Sequence, residues 1–302
     1  MLIELFLVHN KDMDFGINTY IRNNPYDGVY KLCNKNNIKN LFNRGVYLYV
    51  VDVDLNDSET SFEKLQHTYL SNKIYIKQKY SLADIMTYEI FDLGEIEDNQ
   101  YIVDNCSMSN NLEQLSILLS LGKKMHYTEA SMDIASKNGY VDILDYWFHS
   151  GFELKYSHDA IEYASEQGRD NVLNWWINSG LELKYRHWSI DHASALGRLN
   201  VLNWWINSGL ELKYSEYTMD RAANIDVLNW WINSGLELKY SENAIVNLSY
   251  TSNINGLNWW IYSGLELKYP EKIIFRVKPK NGQIIQDLFN ISGITCTICS
   301  QI

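Results

Sequence analysis

Four groups of residues carry side chains and spacings that could do chemistry. Asp52-Val-Asp54 places two carboxylates at the spacing that can bind a divalent ion together with a nucleotide-sugar. On a strand, residues two apart share one face, and so short a motif recurs by chance. It therefore reads as an exposed acidic strand face. Cys296-Thr-Ile-Cys299 has zinc or redox spacing. Zinc needs two further ligands at tetrahedral distance, and no second CxxC or His pair follows, so two small cysteines in an apolar tail are expected. His9, His67, His126, His149, His158, His187 and His192 form no HxxxH or HxH pattern. The paired tryptophans offer rings on which bases or sugars could stack, but they recur at helical spacing in register with Ile and Val, which makes them core. The expectation is no catalytic residue, no cofactor and no metal.

Bulk properties narrow the classes further. The 302 residues carry a net charge of −11, with 37 Asp and Glu against 26 Lys and Arg. A nucleic-acid grip needs clustered cations to replace phosphate counterions, and an anionic membrane surface needs the same, so neither partner is expected. Four cysteines, Cys33, Cys106, Cys296 and Cys299, are too few and scattered for a disulfide framework, which points to a reducing, intracellular setting. The run Leu2–Val8 includes Glu4 and no basic leader, so it is not expected to be a signal peptide. No stretch approaches the ~18 apolar residues of a membrane-spanning helix.

The elements that would position any site come from a repeat. The stretch VLNWWINSGLELKY occupies Val172–Tyr185 and returns unchanged at Val201–Tyr214 and Val227–Tyr240, with a near copy at Leu257–Tyr269. Its glycine recurs at Gly122, Gly151, Gly180, Gly209, Gly235 and Gly264, in steps of 29, 29, 29, 26 and 29 residues. Within a unit, Ile161 and Ala164 mark a first helix, and Val172, Leu173, Trp176 and Ile177 a second. The column Leu118, Trp147, Trp176, Trp205, Trp231, Trp260 lies at the centre of the second helix's apolar arc, with Trp175 at its margin. Trp147, Trp176, Trp205, Trp231 and Trp260 are thus the expected repeat core. Continuing the period puts Phe289 and Gly293 in a degenerate unit containing Pro279, making about seven units whose eroded ends act as caps.

Ahead of the repeats, Leu2–Val8 reads as a short strand or edge element, and Pro25–Gly28 as turn chemistry. A short helix is expected over Asn34–Asn43, and strands over Val46–Leu55 and Lys73–Gln78. Ser81 is placed to cap a helix running through Glu89, with Leu82, Ile85, Met86 and Ile90 on its apolar side. The domain plan is residues 1–95 as a small α+β domain, 96–294 as the repeat array and 295–302 as a tail, with a cleavable polar break at Glu95–Asn99.

Two helices joined by a glycine turn, a small-residue column and a trailing Gly-hydrophobic-acidic-hydrophobic segment resemble the ankyrin repeat. Asp133–Gly139, Val141–Leu144 and Ser150–Leu154 line up with that family's first helix, second helix and exit loop. The period is 29 rather than ~33, and the family's Thr-Pro-Leu-His tetrapeptide is replaced by Asp159-Ala-Ile-Glu162 and Trp188-Ser-Ile-Asp191. The short period and residues 25–93 resemble ankyrin proteins of giant amoebal viruses of the mimivirus group. The resemblance implies a mainly α fold, an ankyrin-like helical-hairpin solenoid after a small α+β domain. It also implies a viral protein acting in the host cytoplasm, and it lends no catalytic residue.

The expected function is a non-catalytic, monomeric scaffold that binds a protein partner through the concave face of the array. The duplicated units differ chiefly in the first helix and its lead-in, where ankyrin-like proteins generally bind. The candidate contacts are His158, Asp159, Glu162, Arg186, Trp188, Asp191, His192, Tyr217 and Arg221, several of them of hot-spot type. The alternatives are an enzymatic or modifying activity in residues 1–95 targeted by the repeats, and an adaptor to host ubiquitin machinery through the tail Ile284–Ile302. A polar pocket with paired carboxylates or a perturbed His in residues 1–95 would favour the enzymatic alternative.

Overall fold

The computed structural model describes residues 1–10, 13–19, 29–251 and 253–268. Pro25–Gly28, the Cys296/Cys299 pair, the seventh unit with Phe289 and Gly293, and the tail lie outside the described residues.

The first 80 residues build an antiparallel sheet of seven strands. These are β1 (Leu2–His9), β2 (Gly16–Thr19), β3 (Tyr30–Cys33), β4 (Tyr47–Asp54), β5 (Phe62–Lys64), β6 (Tyr69–Ser71) and β7 (Lys73–Ser81). Their spatial order is β2-β7-β4-β1-β3-β6-β5. β1 therefore lies at the centre of the sheet rather than at an edge. Its Leu5, Phe6, Leu7 and Val8 are all buried, because both faces are covered. One face carries Leu5, Leu7, Leu32, Tyr49, Val51, Val53, Ile74 and Ile76. A 3-10 helix over Lys35–Arg44 packs on β1 with Ile38, Leu41 and Phe42 buried, and Phe6 meets Phe91 edge-on at 5.7 Å. Gly45, next along the chain, runs so close to the His9 backbone that a Cβ there would overlap it.

Helices follow: α1 (Ile85–Phe91), α2 (Ile102–Met108), α3 (Leu112–Ser120), α4 (Ala130–Asn138), α5 (Val141–His149), α6 (Asp159–Glu166) and α7 (Asp170–Ser179). The remainder are α8 (Trp188–Ala195), α9 (Leu199–Asn207), α10 (Tyr217–Asp220), α11 (Ile225–Asn233), α12 (Asn243–Tyr250) and α13 (Ile254–Tyr262). α1 starts later than Ser81. Its cap is Asp84, whose side chain accepts the Met86 N–H at 3.0 Å. It buries Thr87, Tyr88 and Phe91, which leaves Ile85, Met86 and Ile90 exposed.

This architecture corrects the expected mainly α, ankyrin-like solenoid. A seven-stranded antiparallel sheet heads the chain, and strand makes up 15% of the described residues beside 47% helix. The chain is α+β. A 29-residue rhythm reports only on the part that repeats, and the sheet has no period with which to announce itself.

Two compact units emerge, one comprising residues 1–135 and 140–156, the other 136–139 and Ser157 onward. In the first, Glu95–Asn99 is anchored: Ile96 and Asn99 are buried, and Asn99 donates to the Tyr88 hydroxyl at 2.9 Å. In the second, first helices α6, α8, α10 and α12 pack in one row and second helices α7, α9, α11 and α13 in another.

Candidate functional site

The candidate contacts divide by depth. Asp104, Asp133, Glu162, Asp191 and Asp220 occur every 29 residues, one to each first helix, and all are buried. In the first unit, Asp104 accepts the Thr128 N–H at 2.9 Å, the Thr128 hydroxyl at 2.7 Å and the Ser131 hydroxyl at 2.6 Å. In the second, Asp191 accepts the Ser215 N–H at 2.9 Å and its hydroxyl at 2.6 Å, and Asp220 does the same with Ser241. Glu162 holds Arg186 in a bidentate pair of 2.7 and 2.9 Å. Burial pushes the Asp191 and Asp220 carboxyls above their ordinary value, and the serine bonds oppose this. Hydrogen bonding to Glu162 raises the Arg186 guanidinium further. Three candidates, Glu162, Arg186 and Asp191, therefore join one helical pair to the next.

Arg186 is itself exposed; the other candidates also reach the surface, and most of them meet. Trp188 stacks near His187 (4.5 Å between centroids) and His192 (5.1 Å), and meets Tyr217 of the next pair edge-on at 5.6 Å. The Arg221 guanidinium lies 4.7 Å over the Tyr217 ring. This cluster borders a recess of about 240 Å³ lined by Ala195, Leu196, Glu166 and Arg221 beside His192 and Tyr217. His158 and Asp159 lie apart from it, 3.7 Å from one another. His158, Asp159 and Glu162 bring three ligand atoms within 4.8 Å. A cation there would have to displace Arg186 from Glu162, so these residues do not fit a metal.

The second helices are occupied by stacking. Trp147, Trp176, Trp205, Trp231 and Trp260 are each at most 1% exposed. Four of their indole N–H groups donate to a serine column that sequence reasoning missed: Trp147 to Ser107, Trp176 to Ser136, Trp205 to Ser165 and Trp231 to Ser194. The signal was present, since those serines share the 29-residue period. Trp204, Trp230 and Trp259 donate to Asn174, Asn203 and Asn229. These asparagines are thus engaged within the row.

The first unit holds a different recess, of about 340 Å³, lined by Asp52, Asp54, Asp57 and Lys73 beside Ile74 and Tyr75. Asp52 and Asp57 are tied to lysines, and Asp54 lies 3.5 Å from the Met1 amine. Lys73 binds Asp57 at 2.6 Å, and Lys77, the extra residue of a bulge opposite Val50 and Val51, reaches Glu4 at 2.6 Å and Asp52 at 3.5 Å. Hydrogen bonding to Lys73 holds the Asp57 carboxyl below its usual range, the opposite of what a general acid requires. The buried Cys33 thiol is pushed up to about 12 by desolvation, which leaves it no thiolate at neutral pH.

No protein-family profile matches the chain. Over 125 residues it is 36% identical to an uncharacterized protein of Acanthamoeba polyphaga mimivirus, a match covering 41% of this chain and 39% of that protein. The likeness suggests a giant-virus origin. No match carries the ankyrin resemblance. No helix among the described residues is long and apolar enough to cross a membrane.

Proposed function

We propose that this chain is a non-catalytic scaffold that binds a protein partner, as a monomer inside the host cell, through the exposed side of α8 and α10. One observation carries the reading. Units that are otherwise near copies diverge at Asp159, Trp188 and Tyr217 and at Tyr163, His192 and Arg221, and the diverged side chains of two units come together as one ring-and-guanidinium cluster. Trp, Tyr and Arg are the types that anchor protein interfaces. Divergence at positions released from stacking is what a binding surface would show. The test changes Trp188, Tyr217 and Arg221 together to Ala, with circular dichroism confirming the fold, and follows a partner pulled down from infected host cells. Loss of that partner supports the face; undiminished capture overturns it.

The recess at Asp52, Asp54, Asp57 and Lys73 favours a second reading, a small-ligand or modifying site in the first unit. Protection of Lys73 from acetylation by a ligand would bring that reading forward.

A further inference from the structure

A second surface, in the first unit, combines three independent features. The apolar side of α1 faces solvent, with Ile85, Met86 and Ile90 at 37, 55 and 51% exposure, and Ile117 of α3 is 45% exposed. Between α3 and the start of α1 lies a recess of about 420 Å³ lined by Ile85, Ile117 and Leu121 together with Asp84, Glu113 and Gln114. Isolated exposed apolar residues need no explanation, but a cluster bordering a recess marks an interaction site.

Along the segment that builds it the charge has one sign, and a cation from outside that segment, Lys35, lies 6.0 Å over the Phe91 ring of α1. From Ser81 to Gly122 the chain carries eight acidic residues, Asp84, Glu89 and Glu113 among them, and no Lys, Arg or His. Lys123, the next cation along the chain, is paired with Glu95 and Glu97. At physiological salt, charges beyond roughly 8 Å are largely screened, so a ligand here is governed by these local carboxylates. Gln114 adds a specific demand: its Oε1 is buried without a hydrogen-bond partner among the described residues. A buried acceptor left unpaired is unfavourable, and a donor brought in by a ligand would satisfy it.

We propose that this groove docks a basic amphipathic segment of a protein partner, its apolar side chains on Ile85, Met86, Ile90 and Ile117. Its Lys or Arg side chains face Asp84, Glu89 and Glu113, and one donor reaches Gln114. The surface is separate from the α8–α10 cluster and stands or falls independently of it.

Fluorescence anisotropy on the full chain tests this with two 18-residue helical probes of identical leucine face, one otherwise Lys and one otherwise Glu. The Lys probe binds and the Glu probe does not. Glu89→Lys with Glu113→Lys, or Ile117→Ser with Met86→Ser, weakens binding at least tenfold, while the remote reversal Glu216→Lys with Glu242→Lys leaves it within twofold. Gln114→Leu weakens binding severalfold although the free chain melts no lower. Equal binding of both probes, no binding of either, or equal weakening by the remote reversal overturns the proposal, as does binding of the Lys probe that survives Ile117→Ser with Met86→Ser.

Discussion

The indole N–H of Trp205 donates to the Ser165 hydroxyl 3.2 Å away, across the joint between two helical pairs. It is a polar contact inside an apolar seam, and it separates two energies. Trp205→Ala removes a large side chain from a site 1% exposed and is expected to destabilise by ~3–5 kcal/mol. Ser165→Ala keeps the packing but strands a buried donor, for ~1–3 kcal/mol. Trp204 is half-buried and bonds Asn174 at 2.8 Å, so Trp204→Ala falls clearly below Trp205→Ala. Urea melts rank the three; equal effects for the two tryptophans would reverse the assignment of core and margin.

The same joint is complete one step later, at Trp231 and Ser194, and incomplete two steps later. Trp260 is buried and its N–H has no partner among the described residues. The three-residue deletion shortens α10 to Tyr217–Asp220, and the residue one period after Ser194 is Ala223, which is exposed. Trp260→Phe should therefore be milder than Trp205→Phe by about 1–3 kcal/mol, since only the latter breaks a hydrogen bond. Amide exchange at Met219–Asn224 should outpace that at Ile190–Leu196. Equal exchange would mean that the deletion is absorbed without loosening.

The pH dependence follows from Asp191 and Asp220. Burial raises both carboxyls in the folded state above the ordinary 3.8. A raised acid holds its proton better folded than unfolded, so its contribution to stability falls as pH rises above about 3.8 through the folded value. Asp191→Asn cannot ionise and flattens that part of the curve. Carboxyl carbon shifts recorded by NMR through the titration check the direction: a midpoint for Asp191 below the ordinary range would contradict it.

Gly45→Ala probes the sheet alone. The added Cβ overlaps the His9 carbonyl carbon and oxygen, backbone atoms that cannot rotate away. A loss of ~3 kcal/mol is expected, at the upper end for overpacking, with melting of the strands monitored by near-UV circular dichroism of Tyr49. A neutral outcome would show that β1 can shift.

What could be read in advance tracks how each residue earns its place. The tryptophan column was legible because large apolar side chains at one period announce stacking. Ser165 and Asp191 share that period, but a polar residue on a helix gives no sign of burial until its partner is known. Asp191 and Glu162 therefore read as surface residues although they are buried, while Arg186 does lie at the surface. α1 misleads for the opposite reason: Ile85, Met86 and Ile90 form an apolar stripe that the fold leaves outside. The sheet was only partly visible. β5 and β6 have three residues each, too few for alternation; β1 reads as a strand, but its burial on both faces removes the alternation that would have marked its central place.

The exit segment settles how such a chain can change length. Tyr185 stacks on Trp205 at 4.9 Å, donates its hydroxyl to the Glu211 carbonyl at 3.1 Å and lies 4.7 Å beneath the Lys213 ammonium. Tyr214 repeats all three contacts with Trp231, Glu237 and Lys239, and Tyr240 with Trp260, Glu266 and Lys268. Each 29-residue block thus carries both halves of a joint, a plug for the block after it and a socket for the block before it. A recombination event that copies or excises one whole block delivers matched ends, and the gene can gain or lose members without inventing a contact. Only events that break a block, such as the 26-residue step, leave a mismatched seam behind.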